Sequence, residues 1–210
     1  MKTTTTKQFI SESMTQSITN NNPVFIMMLS IAPVLALTND LALSIIAGIN
    51  VLVILVVAFL IKRSLLSKVP EQLNIIVNIL LVATLVSISE LVLQVYDLAM
   101  YDAIGIYLPL TAVSGMILTQ TNSKALDKDT FKNALIKVAT QGISFLVTLI
   151  LIAIIRSILT TGAVRLFGLQ MRVFDVAYSF TLIDSPFGAF LILSLLMALF
   201  RNLTNRGAKS

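Results

Sequence analysis

Long apolar runs alternate with short polar or charged stretches along most of the chain. About 20 consecutive apolar residues are needed for a helix to cross roughly 30 Å of hydrocarbon. The pattern predicts six transmembrane spans, at about 23–37, 41–61, 72–96, 103–119, 134–159 and 185–203. Helices are expected because every backbone polar group inside a bilayer needs a partner within its own segment. We therefore predict an all-α membrane protein, with one membrane domain over residues 23–210 and a polar tail over residues 1–22.

The first and fourth spans are short, and each carries one proline in its interior, Pro33 or Pro109. When Gly115 is aligned with Ala32, the two segments also share a leucine, a threonine and an asparagine at matching positions. Short, interrupted apolar segments at corresponding places in two halves are typical of inverted-repeat membrane proteins, where they meet near the bilayer midplane.

We accordingly predict six transmembrane helices in two inverted three-helix repeats, residues 23–98 and 101–203. The first and fourth helices are expected to be short or broken. The residues expected at the hinges of these two helices are Ala32, Pro33, Pro109 and Gly115.

Charge is scarce and unevenly distributed. The chain is 57% hydrophobic and 12% charged, against roughly 25% charged in soluble domains. All but three of its 15 Lys and Arg residues lie in the tail, beside the second and fourth loops or at the C-terminus. By the positive-inside rule, both termini are cytoplasmic. The net charge of +5 comes from basic residues that mark the cytoplasmic loops, so it does not indicate a nucleic-acid partner.

The three basic residues on the other side are Arg156, Arg165 and Arg172. Arg156 lies near the end of the fifth span and is expected to extend toward the membrane surface, as long basic side chains do. The connection that follows, residues 160–184, is amphipathic and is expected to lie along that surface.

Cysteine and histidine are absent from the sequence. This excludes disulfides, thiolate-held iron–sulfur clusters, histidine-ligated haem and ordinary zinc sites built from this chain alone. It also excludes a Ser-His-Asp catalytic set, so we predict no catalytic residue and no metal site.

Glu90 lies about five turns into the third span, with no Lys or Arg three or four residues away. Because a carboxyl group at membrane depth is costly, it is a candidate for an ion path. The alternative is a neutral structural acid hydrogen-bonded to Ser87 or Gln94. Asp184, at the start of the sixth span, is the second ion-path candidate, and its alternative role is a solvated helix end.

Several motifs point to a known family. NNPVFIMMLSIAPVLALT at 21–38 resembles the opening of the D- and E-type membrane subunits of the Rnf and Nqr respiratory complexes. RSILTTG at 156–162 and SPFGAFLILSLLMALFRN at 185–202 continue the match. The resemblance covers nearly the whole chain from Asn21, and the NNPV motif favours the E-type Rnf or D-type Nqr subunit.

The resemblance implies a subunit of a bacterial inner-membrane complex that passes electrons between ferredoxin or NADH and an acceptor, coupled to Na⁺ or H⁺ movement. The implied partners are an oppositely oriented six-helix sister subunit and subunits that carry flavin and iron–sulfur groups. In the family, a cysteine in each short helix helps to hold an iron–sulfur cluster. The matching positions here are Ala32 and Gly115.

These differences lead to an expectation of a non-catalytic subunit, which contributes helices and an ion path while partners hold the redox groups. The alternative is a cluster-free ion or small-molecule transporter, or a scaffold, derived from the same inverted-repeat fold.

Overall fold

The fold is taken from a computed structural model, which describes residues 6–38, 40–65, 69–112, 114–121, 129–166, 169–172 and 185–207. Asp184 lies outside these residues. Within them the chain forms nine α-helices, one 3₁₀ turn and a two-stranded hairpin. In chain order the helices are α1 Thr6–Thr19, α2 Ile31–Leu37, α3 Leu41–Leu65, α4 Glu71–Tyr96, α5 Leu98–Ile104, α6 Leu108–Ala112, α7 Gly115–Thr121, α8 Phe131–Thr161 and α9 Pro186–Gly207.

Three of these helices, α3, α4 and α8, are long and apolar enough to cross a membrane. The apolar part of α9 and the fourth predicted span are shorter. The predicted helical membrane protein is therefore confirmed. The six-helix inverted repeat is a finer arrangement that stays a prediction.

The first predicted span is not a continuous helix. Residues 23–29 form turns, and only the seven residues of α2 are α-helical. Met28 adopts a positive φ of 55° just before the helix, a conformation that is uncommon for a non-glycine residue. Pro33 is the third residue of α2, within the first turn, where its missing N–H breaks no helical hydrogen bond.

The fourth predicted span is divided into α5, a 3₁₀ turn at Gly105–Tyr107, α6 and α7. Pro109 is the second residue of α6, so it too occupies a first turn. Both segments are thus short or broken helices.

Helices α3 and α8 pack along each other through two glycines, one on each helix. A Cβ atom at Gly48 would lie 3.1 Å from Leu146 Cδ1, and one at Gly142 would lie 3.2 Å from Leu52 Cγ. Both distances are tighter than ordinary contacts. Small residues at such contacts allow helix backbones to approach closely inside a bilayer, where dispersion contacts rather than exclusion of water drive packing.

The segment expected as a polar tail contains α1, which packs against α8. The hydroxyl of Ser144 donates to the Ser17 carbonyl oxygen at 2.7 Å. The Asn22 side-chain amide donates to Thr148 Oγ1 at 2.9 Å, and its oxygen accepts from two backbone N–H groups, of Val24 and Phe25. A buried polar seam therefore joins the N-terminal segment to α8.

After α8 ends at Gly162, β1 (Ala163–Leu166) pairs with β2 (Leu169–Arg172) in an antiparallel hairpin. Gly162 has φ 66°, the left-handed conformation that commonly terminates a helix. The hairpin is an exception to the predicted all-α class, because the first part of the connection satisfies its backbone groups by strand pairing. The expected position of the connection along the membrane surface stays a prediction, and its residues 173–184 lie outside the described part of the chain.

The polar seam generates a stability prediction. Replacing Asn22 with Ala removes a bond to Thr148 and two bonds to backbone N–H groups, so we expect a loss of about 1–3 kcal/mol. Unfolding by SDS in mixed micelles, followed by circular dichroism, measures the change. Asn20→Ala is the matched control, since this side chain is exposed, and should change stability by less than about 0.5 kcal/mol. Equal stabilities of the two variants would contradict the assignment.

Candidate functional site

The N-terminal ends of the two short helices α2 and α7 lie side by side. Ser30 directly precedes α2 and Ser114 directly precedes α7. Their Oγ atoms lie 2.8 Å apart in a hydrogen bond, and the residues are only 1% and 6% exposed. Each serine carbonyl also accepts from the N–H group four residues on, which closes the first turn of its helix. The hydroxyl pair therefore links the starts of two helices from different halves of the chain.

Gly115 lies directly beside this link. A Cβ atom there would sit 3.1 Å from both the Leu29 carbonyl oxygen and its Cδ2 atom. Pro33 is buried, whereas Ala32 and Pro109 are exposed. The structure thus brings Gly115 to the first short segment. The grouping of all four hinge candidates at one place stays a prediction.

The sequence interpretation missed Ser30 and Ser114. The aligned positions, Ala32 and Gly115, are 83 residues apart, while the hydrogen-bonded serines are 84 apart. A hydroxyl residue just ahead of each aligned position, inside an otherwise apolar run, was the available signal.

Arg156 binds the C-terminal end of α2. It is only 2% exposed, and its Nη1 atom donates to the Leu35 carbonyl oxygen at 3.2 Å and to Thr38 Oγ1 at 3.3 Å. The last carbonyl groups of a helix have no partner within it, and a cation there also opposes the negative end of the helix dipole. The expectation that Arg156 reaches the membrane surface is wrong, because the end of α2 satisfies the guanidinium inside the protein.

Glu90 lies on α4 four residues after the buried Val86, at the edge of the helix face that packs into the protein. Its Oε1 atom is buried and has no hydrogen-bond partner among the described residues. The alternative, a structural acid bonded to Ser87 or Gln94, is not what the described residues show. A buried acceptor without a donor is unfavourable, so a proton, a cation or a donor beyond the described residues would stabilise this oxygen.

The comparisons with known proteins give the family. The model of the Rnf-Nqr subunit family, described as a membrane protein, matches residues 10–197. The chain belongs to the Rnf-Nqr family.

Among its Rnf-Nqr relatives is the E-type subunit of the ion-translocating oxidoreductase complex of Methanosarcina acetivorans, 30% identical over 188 residues. That alignment covers 88% of this chain and 86% of the relative. The E-type subunit of the sodium-translocating ferredoxin:NAD⁺ oxidoreductase complex of Acetobacterium woodii is 29% identical over 192 residues, covering 90% and 94%. The E-type subunit of Shewanella oneidensis is 29% identical over 194 residues, covering 88% and 83%. The predicted resemblance is therefore confirmed.

The residues at the junction do not fit the iron–sulfur cluster that the Rnf-Nqr resemblance implies. Clusters are held by thiolates, and the aligned positions offer only the methyl group of Ala32 and the hydrogen of Gly115. The two nearby hydroxyls are engaged with each other. In the described part of the chain, no group of three or more Asp or Glu side chains is placed to hold a metal ion either.

The serine link predicts an energetic coupling. Ser30→Ala and Ser114→Ala should each destabilise the protein, and the double variant should lose less than the two single losses together. The expected coupling is about 0.6 kcal/mol and at most about 1.7 kcal/mol. Unfolding of all four proteins in mixed micelles measures it.

The control cycle pairs Ser30→Ala with Thr84→Ala. Thr84 is exposed, and its hydroxyl donates to the Leu80 carbonyl of its own helix. These two changes should be additive within about 0.5 kcal/mol. Additivity in the Ser30 and Ser114 cycle would mean that the hydroxyls do not hold the two helices together.

Proposed function

We propose that this chain is a membrane subunit of an Rnf-like, ion-translocating electron-transport complex of the bacterial inner membrane. The observation that carries the proposal is the match to Rnf-Nqr relatives over nearly their whole length. The relative in Methanosarcina acetivorans is named as a subunit of an ion-translocating oxidoreductase complex. The relative in Acetobacterium woodii is named for sodium translocation and for ferredoxin and NAD⁺.

The proposed arrangement is six crossings in two inverted repeats, with both termini cytoplasmic. Paired features in the two halves support it: Gly48 in α3 is matched by Gly142 in α8, and Ser30 before α2 by Ser114 before α7. The excess of basic residues at one set of loops supports the orientation. Within that set, the Arg63 guanidinium donates to the Asp129 carbonyl oxygen, which places the end of α3 beside the start of α8.

In the proposed complex, the redox groups lie on other subunits. The residues that stand at the ligand positions, Ala32 and Gly115, cannot coordinate iron. Flavin and iron–sulfur groups would therefore be supplied by partner chains, including the oppositely oriented sister subunit. This chain would contribute helices and serve as a non-catalytic part of the translocating oxidoreductase.

Glu90 is the proposed contribution of this chain to the ion path. Its Oε1 atom is buried and has no donor among the residues that the structure describes, and a transient proton or sodium ion would satisfy it. Asp184 is the proposed second acid, at the start of the sixth span. Alternating occupation of such acids would let a cation cross the apolar part of the complex.

The second candidate function is a cluster-free ion or small-molecule transporter, or a scaffold, with the same fold. The direct hydrogen bond between Ser30 and Ser114 favours it, because the two short helices are held together without a cofactor. This candidate predicts that the chain works without electron-carrying partners.

The proposed ion path is tested with Glu90→Gln. In sealed membrane vesicles, ferredoxin-driven and NADH-driven cation uptake should fall by about tenfold or more, because a fixed neutral amide cannot exchange a charge at membrane depth. The amount of assembled complex should stay the same.

Glu12→Gln is the matched control, since Glu12 is an exposed acid on α1. This variant should transport as the unmodified protein does. Unchanged uptake with Glu90→Gln would remove Glu90 from the ion path. Absence of any redox-driven uptake that depends on this chain would favour the second candidate function.

A further inference from the structure

Residues 22–29 lie beside the middle of α8 but form turns rather than a regular helix. The side chain of Asn22 bonds to Thr148, which lies about 26 Å along α8, a helix about 45 Å long. Helix α8 is long and apolar enough to cross a membrane. Irregular backbone at such a depth is tolerated only where protein or water satisfies its polar groups.

The carbonyl groups of this segment have described partners at its start but not further along. The Asn22 carbonyl oxygen accepts from two backbone N–H groups, and the Pro23 carbonyl oxygen accepts from the N–H of Leu29 at 3.0 Å. No described residue donates a hydrogen bond to the next four carbonyl oxygens, those of residues 24–27. We call these four oxygens the open carbonyl set.

The open carbonyl set lies at the end of a single helical turn. A helical turn directs its carbonyl groups toward its C-terminal end, which therefore carries partial negative charge. Met28 follows in the left-handed conformation, with φ 55°, so no helix continues whose N–H groups could bond to these oxygens. Met27 and Met28 are 36% and 49% exposed, so this end of the turn is not enclosed by the described part of the chain.

Gln141 on α8 brings a side-chain oxygen to the same turn. It is only 3% exposed, and its Nε2 atom donates to the Asn21 carbonyl oxygen at 2.9 Å and lies 3.9 Å from Met27 Sδ. Its Oε1 atom accepts no hydrogen bond from the residues that the structure describes. An amide oxygen that is withdrawn from water without a donor is unfavourable.

The end of α2 shows how this chain satisfies comparable carbonyl groups elsewhere. There the guanidinium of Arg156 donates to the Leu35 carbonyl oxygen and opposes the negative end of the helix dipole. None of the described Lys and Arg side chains donates to the open carbonyl set. This second helical end would be stabilised by positive charge in the same way, but the described residues do not supply it.

We infer that Na⁺ or another monovalent metal cation binds the open carbonyl set and Gln141 Oε1. Unwound carbonyl groups and the C-terminal ends of half-helices coordinate cations in membrane proteins with broken helices. The proposed ligands carry no formal charge, whereas calcium and magnesium sites are built on carboxylates. Amide oxygens do not take up a proton near neutral pH, so these ligands suit a metal cation. The inference rests on the proposed function, since it adds a binding site to the proposed cation path.

Hydrogen–deuterium exchange of the full chain, purified with the subunits that accompany it, measures binding at this segment. Mass spectrometry follows the peptide of residues 22–30 in NaCl and in choline chloride of equal ionic strength. NaCl should slow exchange of this peptide by about threefold or more, because a bound cation opposes local opening. The peptide of residues 198–207, at the end of α9, is the internal control and should exchange equally in both salts.

Equal exchange of the peptide of residues 22–30 in the two salts would overturn the inference, and is the result expected if water alone satisfies the carbonyl groups. Slowing by CaCl₂ but not by NaCl would also overturn it. Recovery of the chain without electron-carrying subunits would overturn the proposed function, while a sodium response of this peptide would still support the site.

Three variants locate the site. Gln141→Leu removes the side-chain oxygen and should abolish the sodium response. Gln141→Glu keeps an oxygen and adds negative charge, so it should reach half of the response at about tenfold lower NaCl. Gln16→Leu is the matched control, since Gln16 is exposed on α1, and should respond as the unmodified protein does. A full sodium response in Gln141→Leu, or none in Gln141→Glu, would overturn the assignment of Gln141.

Discussion

The close contact between α3 and α8 is the constraint on which the other contacts of the chain depend. Gly48 and Gly142 let each helix pack against a leucine of the other, and such close packing is a main source of helix association in a bilayer. Helix α8 then holds the N-terminal segment through Ser144 and Thr148. It also holds the end of α2 through Arg156. One long helix thus positions both α1 and the first short helix.

The junction of the short helices shows how the fold is kept without cluster ligands. In a cysteine-free chain, the starts of α2 and α7 are joined by the hydroxyls of Ser30 and Ser114, and Gly115 permits the close approach of Leu29. A neutral hydrogen bond fixes geometry but has no redox chemistry. The proposed division of labour assigns helices and a cation path to this chain and electron carriers to its partners.

Much of this architecture could be predicted from the sequence. Apolar runs located α3, α4 and α8, and the third span was expected at 72–96 against the observed Glu71–Tyr96. Proline positions indicated the broken first and fourth segments. These features are local, since run length and proline chemistry act within a few residues. The motifs at 21–38, 156–162 and 185–202 also led to the correct family.

The contacts that could not be predicted are between residues distant in the sequence. Ser30 bonds to Ser114, which is 84 residues away in the sequence. Arg156 bonds to the end of α2, which is about 120 residues away. The 83-residue separation of the two short segments was the one signal for the serines, and no spacing in the sequence indicates the partner of Arg156. Helix α1 was expected as a tail because its sequence is polar, yet its stability comes from polar groups of α8. The hairpin after Gly162 likewise depends on pairing that amphipathicity alone does not reveal.

The central claim is that this chain belongs to a redox-driven complex without carrying a redox centre itself. The most direct measurement is purification of the tagged chain from its native membrane in mild detergent, with identification of the co-purifying chains and determination of iron and flavin. The account predicts a second six-helix subunit and flavin and iron–sulfur subunits in the complex. It also predicts that this chain contains no iron once it is separated from them. Recovery of the chain alone, or with partners that contain neither iron nor flavin, would contradict it.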